Sequence, residues 1–233
     1  MSLLSVAEAR ERILSHFQPV AAESLPLVQC AFRVLARDVS ASTDLPLFDN
    51  SSMDGFALRA ADVAGASPHS ARTLRVVADI PAGATPTVSL AEGQAARIMT
   101  GAPLPQGADA VLPVEDTNFQ NRSAGLPAPE FVQAFKAMRS GENVRPRGMD
   151  IRAGEAVLQA GHLLKPQDLG VLAMLGEAQV RVHRRPRVAL LSSGDELLAV
   201  DAPLESGKIR DSNSYTLAAL VESAGAEVVR LGV

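Results

Sequence analysis

Four stretches of this sequence gather oxygen-bearing and charged side chains in patterns suited to handling anions. The first is LPLFDNSSMDGFAL, residues 45–58, where Asp49, Asn50, Ser51, Ser52, Asp54 and Gly55 lie between apolar flanks. The second, RIMTGAPLPQGADAV at 97–111, places Thr100 and Gly101 after a short β-like run, so that a hydroxyl and a backbone amide face an anion as glycine-containing nests do. The third, GENVRPRGMD at 141–150, sets Arg145 and Arg147 near Asp150, and arginine suits bidentate phosphate contact. The fourth spans Gly194 to Asn213 and carries Asp195, Glu196, Lys208, Arg210, Asp211 and Ser212, with Ser192 and Ser193 just before it. Carboxylates and hydroxyls without His or Cys are hard oxygen ligands, suited to magnesium rather than zinc, and magnesium recruits phosphate.

Each stretch also has a structural reading. The first is then a loop whose side chains cap their own backbone. Gly101 makes a turn stiffened by Pro103 and Pro105, the arginines occupy a solvated charged turn, and Asp211-Ser212-Asn213 is a capping cluster ahead of a helix. Spacing leaves both readings open. The stretches fall in segments of different organisation, so a joint site requires a cleft between domains or between subunits.

The elements that must position these residues are legible in outline. Ser5-Val6-Ala7-Glu8 fits a capping box, and Val6, Ala9, Ile13 and Phe17 follow at helical spacing. A helix is predicted over 5–17, ending before Pro19 and needing a partner surface. Residues 26–36 predict a second short helix and 37–44 an extended segment. Between 55 and about 140 the runs FALRA, TLRVVADI, ARIM, AVLPV and EFVQAF alternate with turn formers, which suggests a compact β-rich domain inserted between other pieces. NRSAGLPAPE at 121–130 reads as a hairpin tip, and AVL with HLL as a strand pair. A helix over 166–175 follows, with Pro166 in its first turn and Gly176 at its stop, and then an alternating strand over 177–183. The last fifty residues form a βαβ pattern: RVALLSS, then NSYTLAALVESAG closed by Gly225, then AEVVRLGV. Two parallel strands need covered faces and further neighbours. The expectation is therefore a chain that is the front portion of a longer protein or borrows a surface. The Gly194–Asn213 connection far exceeds the usual βα loop of about 2 to 6 residues, and it leaves the carboxyl end of a parallel strand, where open α/β sheets bind ligands.

Composition limits the alternatives. A content of 47% hydrophobic and 21% charged residues describes an ordinary globular protein. A net charge of -4, 3% aromatic residues and no Trp argue against nucleic-acid binding. One cysteine, Cys30, cannot pair internally and reads as a small core residue in LVQCAFRVLA. Glu8 and Arg10 interrupt the start before a signal peptide can form, and no segment approaches a membrane span. A cytoplasmic location is expected.

The motifs LPLFDNSSMDGFAL, RIMTGAPLPQGADAV, GENVRPRGMDI, LLSSGDEL and GKIRDSNSY, in this order and spacing, resemble the molybdopterin molybdenumtransferases of the MoeA type, related to the E domain of gephyrin. The resemblance covers nearly the whole chain. It implies a multidomain α/β plus β-rich fold, with an elongated MoeA-like architecture, an inserted β-rich domain and an incomplete MogA-like α/β domain at the C-terminus. The implied division is an N-terminal helix at 1–22 packing on the α/β domain, a discontinuous mixed domain at 23–46 and 141–182, the inserted β-rich domain at 47–140, and the start of the MogA-like domain at 183–233. The implied activity is insertion of molybdenum from molybdate into adenylylated molybdopterin with release of AMP, dependent on Mg²⁺, in a homodimer whose cleft joins two subunits. A MogA-like adenylyltransferase and molybdoenzyme maturation factors are the implied partners, with no nucleic acid and no membrane.

By motif position, the resemblance assigns catalytic roles to Asp54, Thr100, Asp150, Glu196 and Asp211, and ligand contacts to Ser193, Gly194, Asp195, Ser212 and Asn213. On physical grounds Glu196 and Asp211 are expected to help hold or orient magnesium at the phosphoanhydride. On the same grounds Thr100 and nearby amides are expected to receive an anion, with Asp54 and Asp150 expected to position the metal's waters or the pterin. The chain departs from the family pattern at Ser193, where Thr is usual, at Met149, where Glu is frequent, and at Arg210, where an aromatic is frequent. The rest of the α/β domain and a C-terminal β-domain are absent from the sequence, so the chain alone is expected to be inactive. The gephyrin branch offers a second class of role, a non-catalytic scaffold or fragment.

Overall fold

A computed structural model describes residues 4–119 and 127–232. The chain opens with α1 (Val6–Ser15), β1 (Ala22–Pro26), β2 (Val39–Ser40) and β3 (Asn50–Ser51). Then come β4 (Gly55–Leu58), β5 (Arg72–Ile80), β6 (Gln94–Ile98), β7 (Ala110–Pro113), β8 (Phe131–Ala134), β9 (Val144–Arg145) and β10 (Ala156–Leu158). α2 (Pro166–Met174), β11 (Gln179–His183), β12 (Arg187–Leu190), β13 (Leu197–Leu198), β14 (Ile209–Arg210), α3 (Asn213–Ser223) and β15 (Glu227–Arg230) follow. Contacts divide the chain into two compact units, Ser40–Glu155 and Met1–Val39 with Ala156–Val233.

The unit Ser40–Glu155 is built on a five-stranded sheet in the order β7-β4-β6-β5-β8. Each of the five β-like runs expected from the sequence supplies one of these strands. All neighbours are antiparallel except β5 and β6. Every residue of β4 is buried because both sheet faces are covered: Phe56 and Leu58 pack with Leu74, Leu112 and Val132, whereas Ala57 packs with Ile80, Ile98 and Val111. The alternation follows from the two-residue period of a strand. The backbones of β4 and β7 also approach closely, since a Cβ on Gly55 would lie 2.0 Å from the Leu112 carbonyl oxygen. The edges are occupied by neighbouring chain. At β7, Val111 N donates to Glu142 O and Asn143 Nδ2 donates to Val111 O; at β8, Gln133 N donates to Asn118 Oδ1. Most of the expected hairpin tip, residues 121–126, lies outside the described residues.

In the other unit, β1 pairs antiparallel with β11, over a core that includes Cys30, Leu35, Leu164, Leu172, Val180 and Val182. Cys30 is buried as expected, and that burial raises its thiol pKa. The Ser5–Glu8 capping box forms: Ser5 N donates to Glu8 Oε2 at 2.8 Å and Glu8 N donates to Ser5 Oγ at 3.2 Å. No residue of α1 is buried. Helix α2 matches expectation, with Pro166 at its start and Gly176 at φ 79° after it.

Two expectations are corrected. Residues 26–36 do not form a helix beyond a single 3₁₀ turn, Leu27–Gln29. Phe32 adopts φ 59° and its amide donates to Leu164 O, while Leu35 N donates to His162 O, so tertiary pairing overrides local helical preference. The runs AVL and HLL do not pair with each other: β10 pairs with β2, and Leu163 bridges Val34. The C-terminal βαβ arrangement does form, with β12 and β15 parallel and α3 between them in sequence.

Candidate functional site

The turn after β6 meets the loop before β4 through Thr100 and Asp54. Both the amide and the hydroxyl of Thr100 donate to Asp54 Oδ1, each at 2.8 Å. The backbone fixes both partners. Val114 N donates to Asp54 O at 3.1 Å, Gly101 N donates to Ser51 O at 2.8 Å, and Ser51 N donates to Ala102 O at 3.0 Å. Gly101 sits at φ 82°, a conformation that disfavours any residue with a Cβ. Ser51 is fully buried, and its hydroxyl donates to Met53 O at 2.5 Å, tightening the approach to Asp54. The capping reading and the site reading of this loop therefore describe different residues of it. Ser51 caps its own backbone, whereas Asp54 reaches across to the second motif. Thr100 directs its donors at a carboxylate here.

The third motif joins the same unit. Asp150 is exposed and its amide donates to Leu45 O at 3.0 Å, which ties the motif to the start of the first. Arg147 N donates to Asp49 Oδ1 at 2.7 Å and its Nε donates to Asp44 Oδ2 at 2.6 Å. Asp44 also accepts from Ala153 N at 2.8 Å. That amide, followed by the Arg147 guanidinium, holds the Asp44 carboxyl below its ordinary range. Sequence reading missed Asp44, which anchors the segment, and missed Asp79, the partner of Arg97 across the sheet. Their only sequence signal is charge of opposite sign far along the chain, which specifies no pairing.

Ser193, Gly194, Asp195, Glu196, Asp211, Ser212 and Asn213 belong to the other unit. Glu196 and Asp211 flank opposite ends of the short parallel β13–β14 ladder: Ile209 N donates to Glu196 O at 2.8 Å and Asp211 N to Leu198 O at 3.0 Å. Glu196 is exposed, with its carboxylate folded back over Gly194. Asp211 is only 7% exposed. Its Oδ1 accepts from Ser214 N at 3.1 Å, its Oδ2 accepts from the Ser214 hydroxyl, and Ser192 Oγ lies 2.5 Å from Ser214 Oγ. The Ser214 hydroxyl, then its amide, depress the Asp211 pKa. Asp211 thus caps α3, while Ser212 makes no side-chain cap. A cavity of about 170 Å³ opens beside it, lined in part by Asp201, Asp211, Ser214, Tyr215 and Arg230. The Arg230 guanidinium lies 4.9 Å from the centre of the Tyr215 ring.

Among the described residues, no group of three or more His, Cys, Asp or Glu side chains converges as a metal cage. Arg230 also lines the cavity beside Asp211, and the metal-ligating atoms that Asp201, Asp211 and Ser214 bring to it are all oxygens. That set suits magnesium, which takes one or two carboxylates and completes its shell with water and substrate phosphate. Of the two departures from the family pattern beside acidic residues, Arg210 turns its guanidinium to Ala202 O at 3.1 Å, and Met149 is exposed.

A family profile described as the MoeA N-terminal region (domain I and II) matches residues 4–176. Over 206 residues the chain is 44% identical to Molybdopterin molybdenumtransferase 2 of Mycobacterium tuberculosis, covering 88% of this chain and 49% of that protein. It is 36% identical over 225 residues to Molybdopterin molybdenumtransferase of Staphylococcus aureus, covering 97% and 52%. The chain thus spans about half the length of the curated relatives it matches. Among solved structures, the crystal structure of the molybdopterin biosynthesis moeA protein from Pyrococcus horikoshii superposes with a TM-score of 0.87 at 32% identity, covering 100% of this chain and 60% of that one. By sequence and by fold, the chain belongs to the MoeA N-terminal-region family.

Proposed function

We propose that the chain is the part of a molybdopterin molybdenumtransferase that carries acidic residues for moving molybdenum from molybdate onto adenylylated molybdopterin, with release of AMP. The observation that carries this reading is the Asp54–Thr100 contact, found in a chain 44% identical over 206 residues to a protein of that name. A carboxylate only accepts hydrogen bonds. Asp54, aimed by Thr100, therefore suits the N–H groups of a pterin ring or a water that must be held in place, and Asp150 serves the same end of the substrate. Glu196 and Asp211 are the residues that would hold magnesium, with Ser193, Gly194, Asp195, Ser212 and Asn213 forming the loop around the ligand. Magnesium, when bound, supplies positive charge that offsets the phosphoanhydride and the departing AMP.

The reading extends to a homodimer, in which the α/β half of one copy and the β-rich half of the other complete a cleft, and to the segment division 1–22, 23–46 with 141–182, 47–140 and 183–233. It places the protein in the cytoplasm, downstream of a MogA-like adenylyltransferase and upstream of molybdoenzyme maturation factors. No helix among the described residues is long and apolar enough to cross a membrane. The test is AMP release from adenylylated molybdopterin by a full-length version of the protein, with and without molybdate and Mg²⁺. Release that requires both supports the reading. Absence of turnover favours the gephyrin-like scaffold instead.

A further inference from the structure

Arg97 stands on β6, the middle strand of the five-stranded sheet, three residues before Thr100. It is only 8% exposed, and its guanidinium forks onto Asp79 of β5: Nε donates to Oδ1 at 2.8 Å and Nη2 donates to Oδ2. The pairing depends on an irregularity in β5. Val76 is level with Ala95, but Ala78 rather than Val77 is level with Ala96. This one-residue bulge brings Asp79 opposite Arg97, where an unbroken ladder would place Ala78. Beyond the pair the two strands stay in step, since Ile80 is level with Ile98 and Met99 N donates to Ile80 O at 3.1 Å. The next residue is Thr100, which grips Asp54.

Arg97, Met99 and Asp54 also line one small cleft, walled by Phe56, Val114 and Phe119. Its volume of about 30 Å³ is that of a single water molecule. Arg97 itself is nearly buried there, so any contribution it makes acts through its neighbours. Stability is a poor reason for the pair, because an ion pair with one partner 41% exposed at the surface contributes little. Geometry is the better one: the fork joins two parallel strands at the point where β6 turns out to deliver Thr100.

We propose that Arg97, fixed by Asp79, is a positioning residue that holds the end of β6 so that Thr100 grips Asp54. Its bearing on turnover rests on the transferase reading above. The test uses Asp79→Asn and Arg97→Met in a full-length version of the protein. Asp79 comes first because its side chain lies at the rim, 41% exposed, where the fold tolerates substitution. Amide exchange at Thr100 is expected to quicken by about tenfold or more as its bond to Asp54 loosens. AMP release is expected to fall about tenfold in kcat with KM within about twofold, the pattern of a lost transition-state interaction. In an Asp54→Asn background, Asp79→Asn is expected to lower kcat no further, because both changes act through one contact. Unchanged exchange at Thr100 overturns the proposal, as does a loss of turnover that multiplies with Asp54→Asn. If the unaltered protein releases no AMP, the transferase reading fails, and Thr100 exchange alone decides the positioning role.

Discussion

Asp54 and Asp211 both accept hydrogen bonds from a backbone amide and from a hydroxyl of one residue, yet the fold mounts them differently. Asp54 takes its donors from Thr100, 46 positions away, across strands of a sheet whose two faces are packed and whose edges are covered. Asp211 takes its donors from Ser214, three positions away, at the start of a helix in which only Ala218 is buried. A long-range contact exists only if the register of β4, β6 and β7 is correct. A local cap needs only the first turn of α3. The geometry at Asp54 thus reports the integrity of a whole unit, whereas the geometry at Asp211 reports one helix end.

Paired substitutions probe this contrast, beginning with two glycines, one in each unit. At Gly55 an added Cβ meets the Leu112 backbone, with its carbonyl oxygen at 2.0 Å. At Gly194 it meets only the carboxylate end of Glu196, at 2.5 Å. Backbone between β4 and β7 cannot yield without losing their pairing, so Gly55→Ala is expected to destabilise the unit by more than about 3 kcal/mol. The Glu196 side chain can swing away, and Gly194→Ala is expected to cost about 1 kcal/mol or less. Thermal unfolding of the two variants measures the difference, and equal losses would break the contrast. The next pair compares cores. Phe56 is fully buried and meets Phe119 edge-on at 6.1 Å, whereas Leu220 on α3 is 58% exposed. Phe56→Ala is expected to cost about 3–5 kcal/mol. Leu220→Ala should lie within about 1 kcal/mol of the parent in urea denaturation.

The same division separates what was legible in the sequence from what was not. Local signals translate directly: the Ser5–Glu8 box, Pro166 in the first turn of α2, the five β-like runs and the βαβ order all appear where short-range chemistry puts them. The capping reading of Asp211 was open for the same reason. Long-range pairing was illegible. Residues 26–36 carry helical spacing, but Phe32 and Leu35 are drawn into hydrogen bonds with Leu164 and His162. The bulge between Val76 and Ala78 has no marker in TLRVVADI, because register is chosen by the partner strand. Asp54 and Thr100 were each singled out by motif, yet only the folded sheet shows that they touch.

The smallest expected effect concerns acid. The Ser214 hydroxyl and amide depress the Asp211 carboxyl in the folded chain, below the value of about 3.9 for a free aspartate. The folded state therefore binds its proton less readily than the unfolded state does. Linkage then gives Asp211 a stabilising contribution that is complete above about pH 4 and is lost as pH falls through the lower folded value. Asp44 behaves in the same sense in the sheet unit, held down first by the Ala153 amide and then by Arg147. Asp211→Asn removes the charge from the helix cap, and Asp44→Asn removes it from the sheet unit. Urea midpoints at pH 6 and pH 3 are expected to differ less in either variant than in the parent. If the cap is local, Asp211→Asn diminishes the acid response of the helical signal while amide protection of Thr100 stays unchanged. A loss of Thr100 protection in that variant would show that the Asp211 cap is not local and that the two aspartates are not mounted independently.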